Sequence, residues 1–342
     1  MGTGETITSR AVEQREPGTH RKNARLRWSI VLIWALALAL LGWSLRQVPF
    51  DSIVQTLRGL HAWQLGALAA VNLGIFFLMA LRWQLVLRGM GQRLNIFSTL
   101  AYRLAGFGIS YFTPGPQFGG EPLQVLFLAR RHGVPAPGAV SAVFLDRLLE
   151  LLANFTFLTV GLVVIGLSNL LNGYLRAWTW PLAGMVLALP LLHLAALWRG
   201  KQPVTALLER LRVRSGRVRL VVEQAEGQIR ALCADQPRVL VQGILLSGLV
   251  WLSLLGEYLL MAHFLRIPFG LERGVIALTL AMLAFLIPLP GGLGALEASQ
   301  VLAMQLFGLD PALGLSLSLL MRARDVIFGG VGLALGGWLA RG

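Results

Sequence analysis

Apolar runs cut this 342-residue chain into membrane-length pieces. Residues 1–27 are polar, rich in Gly, Thr, Glu and Arg and without periodicity, and read as a disordered tail. Trp28 to Leu45 is the first run. Its long basic lead, with no small-residue cleavage site after Leu45, makes it an uncleaved anchor rather than a signal peptide. Phe50, Ile53, Val54 and Leu57 fall at helical spacing, so the loop 46–62 is expected to hold a short interfacial helix. Further runs are Trp63–Leu87, Ile96–Phe112, Pro137–Ser168, Pro181–Trp198, Val239–Phe264, Val275–Ile287 and Pro311–Leu339. Most approach the roughly 20 residues that cross a bilayer core. The fold class is therefore all-α, a polytopic transmembrane helix bundle. One polar excursion, 199–237, interrupts it. Leu207, Leu208 and Leu211, then Val218, Val221, Val222, Ala225 and Ile229, mark two amphipathic helices there, joined by a basic turn from Arg212 to Arg219. A hairpin lying on the inner leaflet is expected, with a solvated charged loop as the plain alternative.

Two of the runs are broken in the same way. One break reads Pro114-x-Pro116-x-x-Gly119-Gly120-Glu121. The other reads Pro288-x-Pro290-Gly291-Gly292-x-Gly294-x-x-Glu297. Proline removes a backbone donor and clashes with the preceding turn, and glycine loosens the chain, so a helix stops at each. Short apolar helices follow, Pro122–Ala129 and Ala298–Phe307, ending at Gly133 and Gly308. From those glycines Ser141 and Ser316 are both eight residues on, and Arg147 and Arg322 both fourteen; Asp146 and Asp325 stand close by. Residues 96–168 and 272–340 thus read as two structural repeats, each with a broken or re-entrant helix pair. Inside a bilayer, irregular backbone survives only where protein buries it or water reaches it. Matching interruptions in two halves point to a binding site at the repeat interface.

Composition narrows the class. The chain is 56% hydrophobic and 13% charged, which excludes a soluble enzyme. Its net charge of +14 is no nucleic-acid signal, because half of its 30 Lys and Arg lie in 1–27 and 199–238. The positive-inside bias makes 1–27, 199–237 and 341–342 cytoplasmic, with the N terminus inside, in the cell inner membrane. The first repeat then enters from the cytoplasm and the second from outside, so the repeat is inverted. Cys233 is the single cysteine and excludes an intrachain disulfide. There is no Cys/His cluster, no Walker sequence, and no serine with a credible base. No metal, cofactor, ATP hydrolysis or catalytic residue is expected, so the chain reads as no enzyme.

Charges deep in a bilayer cost about 2.5–3.5 kcal/mol each on insertion scales and persist when paired or functional. The candidates are Arg103, Glu121, Asp146, Arg147, Glu150, Glu257, Glu297, Arg322, Arg324 and Asp325. Arg147–Glu150 and Arg322–Asp325 share an i,i+3 spacing that sets each pair on one helix face. They read as internal salt bridges or, with Asp146, as a substrate site in which Arg147 and Arg322 fork onto a phosphate. Glu121 and Glu297 read as gating or headgroup-binding carboxylates, or as plain caps that suit a helix dipole. Glu121 and Glu297 are expected to meet in one shared polar cavity, with Arg147 and Arg322 pointing toward it. Arg82, near the inner end of its run, is expected to snorkel toward phosphate. Ser141, Ser316 and Gly106, Gly108, Gly329, Gly330, Gly332, Gly336 and Gly337 read as close helix packing. His193 and His263 are isolated.

At the two Pro-Gly-Gly-Glu breaks and at Asp146-Arg147-x-x-Glu150, the chain resembles the flippase-like transmembrane domain of lysylphosphatidylglycerol synthases. The resemblance runs from Trp28 to the end. In the synthases that domain is assigned the movement of aminoacylated phosphatidylglycerol between leaflets, and a separate soluble domain makes the lipid. No such domain follows here, so synthase activity is not expected. The same domain also stands alone in glycolipid, cell-envelope and hopanoid contexts. The resemblance implies a protein that binds membrane lipids and moves them between leaflets. The alternatives are an accessory subunit for a membrane glycosyltransferase or lipid-synthesis protein, and a small-solute transporter.

Overall fold

A computed structural model describes residues 51, 54–55, 58–113, 119–168, 170, 173–199, 201–210, 216–287 and 289–341. The tail 1–27, the first apolar run Trp28–Leu45, most of the loop 46–57, Pro114, Pro116, Pro288 and the turn 211–215 lie outside the described residues. Within them the chain is helical. The order is α1 (Ala62–Gly89), α2 (Ile96–Phe112), α3 (Glu121–His132), α4 (Ala136–Leu167), α5 (Gly173–Trp198), α6 (Pro203–Arg210), α7 (Gly216–Asp235), α8 (Pro237–Phe264), α9 (Leu271–Phe285), a 3-10 turn (Pro290–Gly292), α10 (Ala295–Leu306) and α11 (Pro311–Arg341). Among the described residues α1, α4 and α8 are long and apolar enough to cross a membrane. The 31-residue α11 is long enough too, but carries Arg322, Arg324 and Asp325.

Local chemistry sets the helix ends. Asn95 caps α2, its side chain accepting from Phe97 N at 3.0 Å. Gly133 closes α3 in the left-handed region, φ 64°, where glycine carries no Cβ penalty. One expected boundary moves. α5 begins at Gly173, and Pro181 and Pro190 lie inside it. Proline is tolerated within membrane helices because neighbours re-satisfy the freed carbonyls.

Glycine lets the helices approach until backbones touch. A Cβ on Gly332 of α11 would sit 2.0 Å from Leu104 O of α2, and one on Gly108 would sit 2.6 Å from Gly329 O. A Cβ on Gly120, leading into α3, would sit 2.1 Å from Gly106 O, and one on Gly314 of α11 would sit 2.4 Å from Gln300 O of α10. Small residues drive association where hydrocarbon surrounds both helices and no hydrophobic gain is available. Gly330 and Gly337 face open space instead, so they take no part in this packing.

Many polar ends meet at one end of the bundle. Gln236 Nε2 donates to Gly89 O at 3.2 Å, Tyr102 Oη pairs with His132 Nε2 at 2.8 Å, and Arg131 donates to Leu339 O. Ser141 Oγ donates to Gln228 Oε1 at 2.9 Å and to Ala225 O at 3.3 Å, so it ties α4 to α7 and does more than fill space. Ser316 only returns to Ala312 O in its own helix, at 3.0 Å. The excursion forms the expected hairpin, α6 and α7. Buried Glu226 holds it shut, accepting from Val204 N at 2.8 Å, Thr205 N at 3.0 Å and Thr205 Oγ1 at 2.6 Å. It does not merely rest on a leaflet: Ala225, Ile229, Leu232 and Cys233 are buried, the last three in one core with Trp83, Leu145 and Val239. Burial also raises the Cys233 thiol above its usual range, which keeps it protonated.

The α2–α11 crossing gives a graded prediction. Gly332→Ala must shift backbone against backbone and should lower stability by about 1–3 kcal/mol, as overpacking does. Gly330→Ala, two residues away in open space, should be neutral. Thermal unfolding in detergent measures both, and equal behaviour would remove the crossing as a constraint.

Candidate functional site

The sequence long helix, break, short helix, long helix occurs twice, as α2–α3–α4 and as α9–α10–α11. At each break a glutamate divides its two oxygens between the same kinds of partner. Glu121 Oε2 accepts from Gly119 N at 2.8 Å, and Oε1 faces Arg147 Nε at 3.3 Å. Glu297 Oε2 accepts from Gly294 N at 2.9 Å, and Oε1 accepts from Arg322 Nε at 2.7 Å. Both glutamates are thus caps and ion-pair partners together. The glycines make the geometry accessible: Gly119, Gly291, Gly292 and Gly294 all have positive φ, at 137°, 56°, 62° and 77°. Gly120 N is satisfied by Ser110 Oγ at 2.9 Å.

Around Arg147 stands a first ion cluster. Arg82 of α1 donates from Nε to Asp146 Oδ1 at 2.8 Å, from Nη2 to Glu150 Oε2 at 3.1 Å and from Nη1 to Ser247 Oγ of α8 at 3.1 Å. Arg103 of α2 donates to Asp146 Oδ2 at 2.6 Å and to Glu150 Oε2. Arg147 donates to Glu150 Oε1 at 2.7 Å, so the expected i,i+3 pair forms. Three arginines face three carboxylates, and Arg82 and Asp146 are both 1% exposed.

The second cluster surrounds Arg322. Besides Glu297, Arg322 donates from Nη1 to Gly291 O at 3.3 Å across the break. Tyr111 of α2 lies beside Arg322 and Asp325, with its ring against Gly291. Arg324 donates to Glu257 Oε2 of α8 at 2.7 Å and to its neighbour Asp325 at 2.8 Å. Asn72 of α1 donates to Glu257 Oε1 at 2.7 Å. Two arginines here face three carboxylates.

Two expectations change. Arg82 does not snorkel: it is a fully buried hub, because five residues of helix still separate it from Arg88 at the polar end. Asp325 takes Arg324, not Arg322, since Arg322 is already held by Glu297 at 2.5–2.7 Å. Glu121 and Glu297 pair with different arginines, Arg147 and Arg322, and the polar groups around these pairs attach to α1 and α8 at different heights. Asn72 and Arg82 sit ten residues apart on α1, and Ser247 and Glu257 ten apart on the antiparallel α8. At 1.5 Å per residue the clusters are stacked on the order of 15 Å apart. The glutamate at each break is neutralised by an arginine of the long helix beyond the short one, Arg147 of α4 or Arg322 of α11.

Sequence reasoning passed over Asn72, Ser247 and Tyr111, which complete these clusters. It also passed over Gln300, which is fully buried, accepts from Tyr258 Oη at 2.5 Å and donates to Ala277 O at 3.2 Å. A signal was available for Asn72 and Ser247, each a lone polar residue inside an apolar run, whereas Tyr111 and Gln300 each directly follow a serine. Among the described residues no group of His, Cys, Asp and Glu could hold a metal ion.

Removing one member of a buried ion network strands the others, which costs about 3–5 kcal/mol. Arg82→Gln should therefore abolish stable folding or lower stability by that amount. Arg130→Gln, at an exposed position, should stay within about 0.5 kcal/mol. Denaturant or thermal unfolding of the purified protein compares them, and an Arg82→Gln protein as stable as the parent would refute the hub.

Comparison with known proteins follows the same lines. No solved structure matches the chain. It is 26% identical over 274 residues to a UPF0104 membrane protein of Methanothermobacter thermautotrophicus, covering 72% of this chain and 77% of that one. It is 22% identical over 263 residues to a UPF0104 membrane protein of Pyrococcus horikoshii, covering 71% and 77%. The family described as the lysylphosphatidylglycerol synthase TM region matches residues 28–332. With that match over nearly the whole helical part, this chain is a membrane protein that belongs to the lysylphosphatidylglycerol synthase TM region family.

Proposed function

We propose that this protein binds a phosphate-bearing membrane lipid and carries it between leaflets, with no covalent chemistry of its own. The observation that supports this most is the twofold Glu–Arg arrangement at the breaks. In each, the carboxylate already has a second partner, the backbone N–H of a break glycine. A headgroup phosphate is a better match for a guanidinium fork than one carboxylate oxygen. It would take over Arg147 or Arg322, while Glu121 or Glu297 stayed anchored to its glycine. Asp146, Glu150 and Asp325 would hold the remaining charge balance. Exchange at the two levels in turn would pass the headgroup through the membrane, with residues 96–168 and 272–340 acting as inverted, re-entrant halves. Movement is downhill or coupled to an ion gradient. The cargo class is a phospholipid, a glycolipid or an isoprenoid-type lipid, and the partners are the membrane enzymes that make or use it. In this reading the basic end of the bundle is cytoplasmic, the membrane is the inner membrane and the N terminus is inside, as the positive-inside bias supports.

Reconstitution into liposomes with a fluorescent phospholipid, read by a leaflet-accessibility assay, tests transport. Glu121→Gln and Glu297→Gln should each slow it roughly tenfold, since a charge-assisted bond is worth about 1.5 kcal/mol. Normal rates in both would reduce the glutamates to caps. Orientation is tested separately, in a Cys233→Ser background, by Gly216→Cys at the exposed start of α7. An impermeant maleimide should label it only after cells are opened. Labelling of intact cells would reverse the topology.

A further inference from the structure

Alongside the first ion cluster, on the outer surface of the bundle, α1 and α8 leave a groove between them. α1 contributes Leu81, Gln84, Leu85 and Arg88, and α8 contributes Gln242, Leu245, Leu246 and Leu249. On each helix these positions follow i, i+3, i+4, i+7, so each set is one continuous stripe. The groove encloses about 400 Å³ and runs about 10 Å along the helices, at 1.5 Å per residue. It is graded along its length. Leu81 and Leu249 lie at the deep end, and Arg88 and Gln242 at the polar end, because Gly89 of α1 meets Val239 of α8 there. Leu245 and Leu249 are 67% and 46% exposed.

Beyond the end of α1 the groove opens into a second recess, lined by Arg88, Gly91, Arg93 and Leu94. Arg88 belongs to both. Arg88 and Arg93 are exposed, and their side chains make no ion pair or hydrogen bond with the described residues. Every arginine of the two buried clusters, by contrast, is paired with a carboxylate. No Asp or Glu occurs between residues 62 and 120, so α1, α2 and the turn between them supply these cations with no counterion. Arg238 stands one turn before Gln242 on the α8 stripe and adds a third positive charge at the same end.

We propose that this groove is a binding site for an anionic phospholipid of the leaflet at the basic end. One acyl chain lies along Leu81, Leu85, Leu245 and Leu249, and the phosphate is held by Arg88 and Arg93. Charge complementarity selects the occupant: an apolar slot continuous with two uncompensated guanidinium groups matches a negatively charged amphiphile. A second helix packed here would bury those cations against nothing. The site is separate from the ion clusters and does not depend on whether the protein transports lipid.

Binding is measured directly. The purified full-length protein is placed in nanodiscs holding a phosphatidylglycerol with a photoreactive acyl chain, and adducts are mapped by peptide mass spectrometry. Phosphatidylcholine with the same chain is the comparison. Adducts are expected on Leu245, Leu246 or Leu249, several-fold more abundant with phosphatidylglycerol. Arg88→Gln and Arg93→Gln should each reduce them roughly fivefold, as expected for a basic residue near an anionic surface. Both positions are exposed, and size-exclusion profiles establish that the variants fold. High salt on the parent protein gives a second, mutation-free readout and should also weaken labelling. Equal labelling by both lipids, or no effect of the arginine substitutions, overturns the proposal. So does absence of adducts accompanied by crosslinking of Leu245→Cys to residues 28–45, which would give the groove to that segment.

Discussion

An arginine in hydrocarbon must have a partner, and much of this bundle is arranged around that requirement. The desolvation penalty of a buried ion is several kcal/mol, and close pairing returns roughly what it cost. Such pairs add little net stability. They do restrict geometry, because a slipped register would strand charge. Arg82 reaches α4 and α8, Arg103 reaches α4, Arg324 reaches α8, and Asn72 reaches the same carboxylate from α1. Five helices are thereby aligned axially by polar contacts, in an environment where apolar packing alone discriminates weakly between registers.

The breaks and the glycines solve a related problem, that of unpaired backbone. Where a helix stops inside the bundle, its first N–H groups need acceptors. One oxygen of Glu121 and one of Glu297 meet that need just upstream of each short helix, and Ser110 meets it at Gly120. Close approach at Gly106, Gly108 and Gly332 brings α2 against α3 and α11, so that protein rather than lipid covers this region.

Much of this could be read from residue order. Apolar run lengths place α1, α2, α4, α8 and α11 to within a few residues, because the bilayer imposes a length and the hydropathy pattern records it. The matched spacing from Gly133 and Gly308 singles out Arg147 and Arg322, but not their partners at the breaks, Glu121 and Glu297. Partner choice was less legible. Arg82 is an ordinary-looking cation near a helix end, and only the approach of α4 and α8 reveals that it is enclosed. Asp325 has arginines at both i−3 and i−1, and the contest is decided by Glu297, which comes from another helix. Separation of the clusters into two levels was not legible, since only the packing of α1 and α8 shows which of their residues joins which cluster.

The stacking of those levels has a mechanical meaning. α1 is a rod pinned at Asn72 and again at Arg82, and α8 is pinned at the facing positions Glu257 and Ser247. A rod held at two heights cannot turn about its own axis without breaking both attachments. It can tilt about either one, and then the displacement at the other grows with the lever arm, on the order of 15 Å of helix. Rocking about one attachment therefore strains the other, so a change in the tilt of this helix pair has to be answered at both charged layers together.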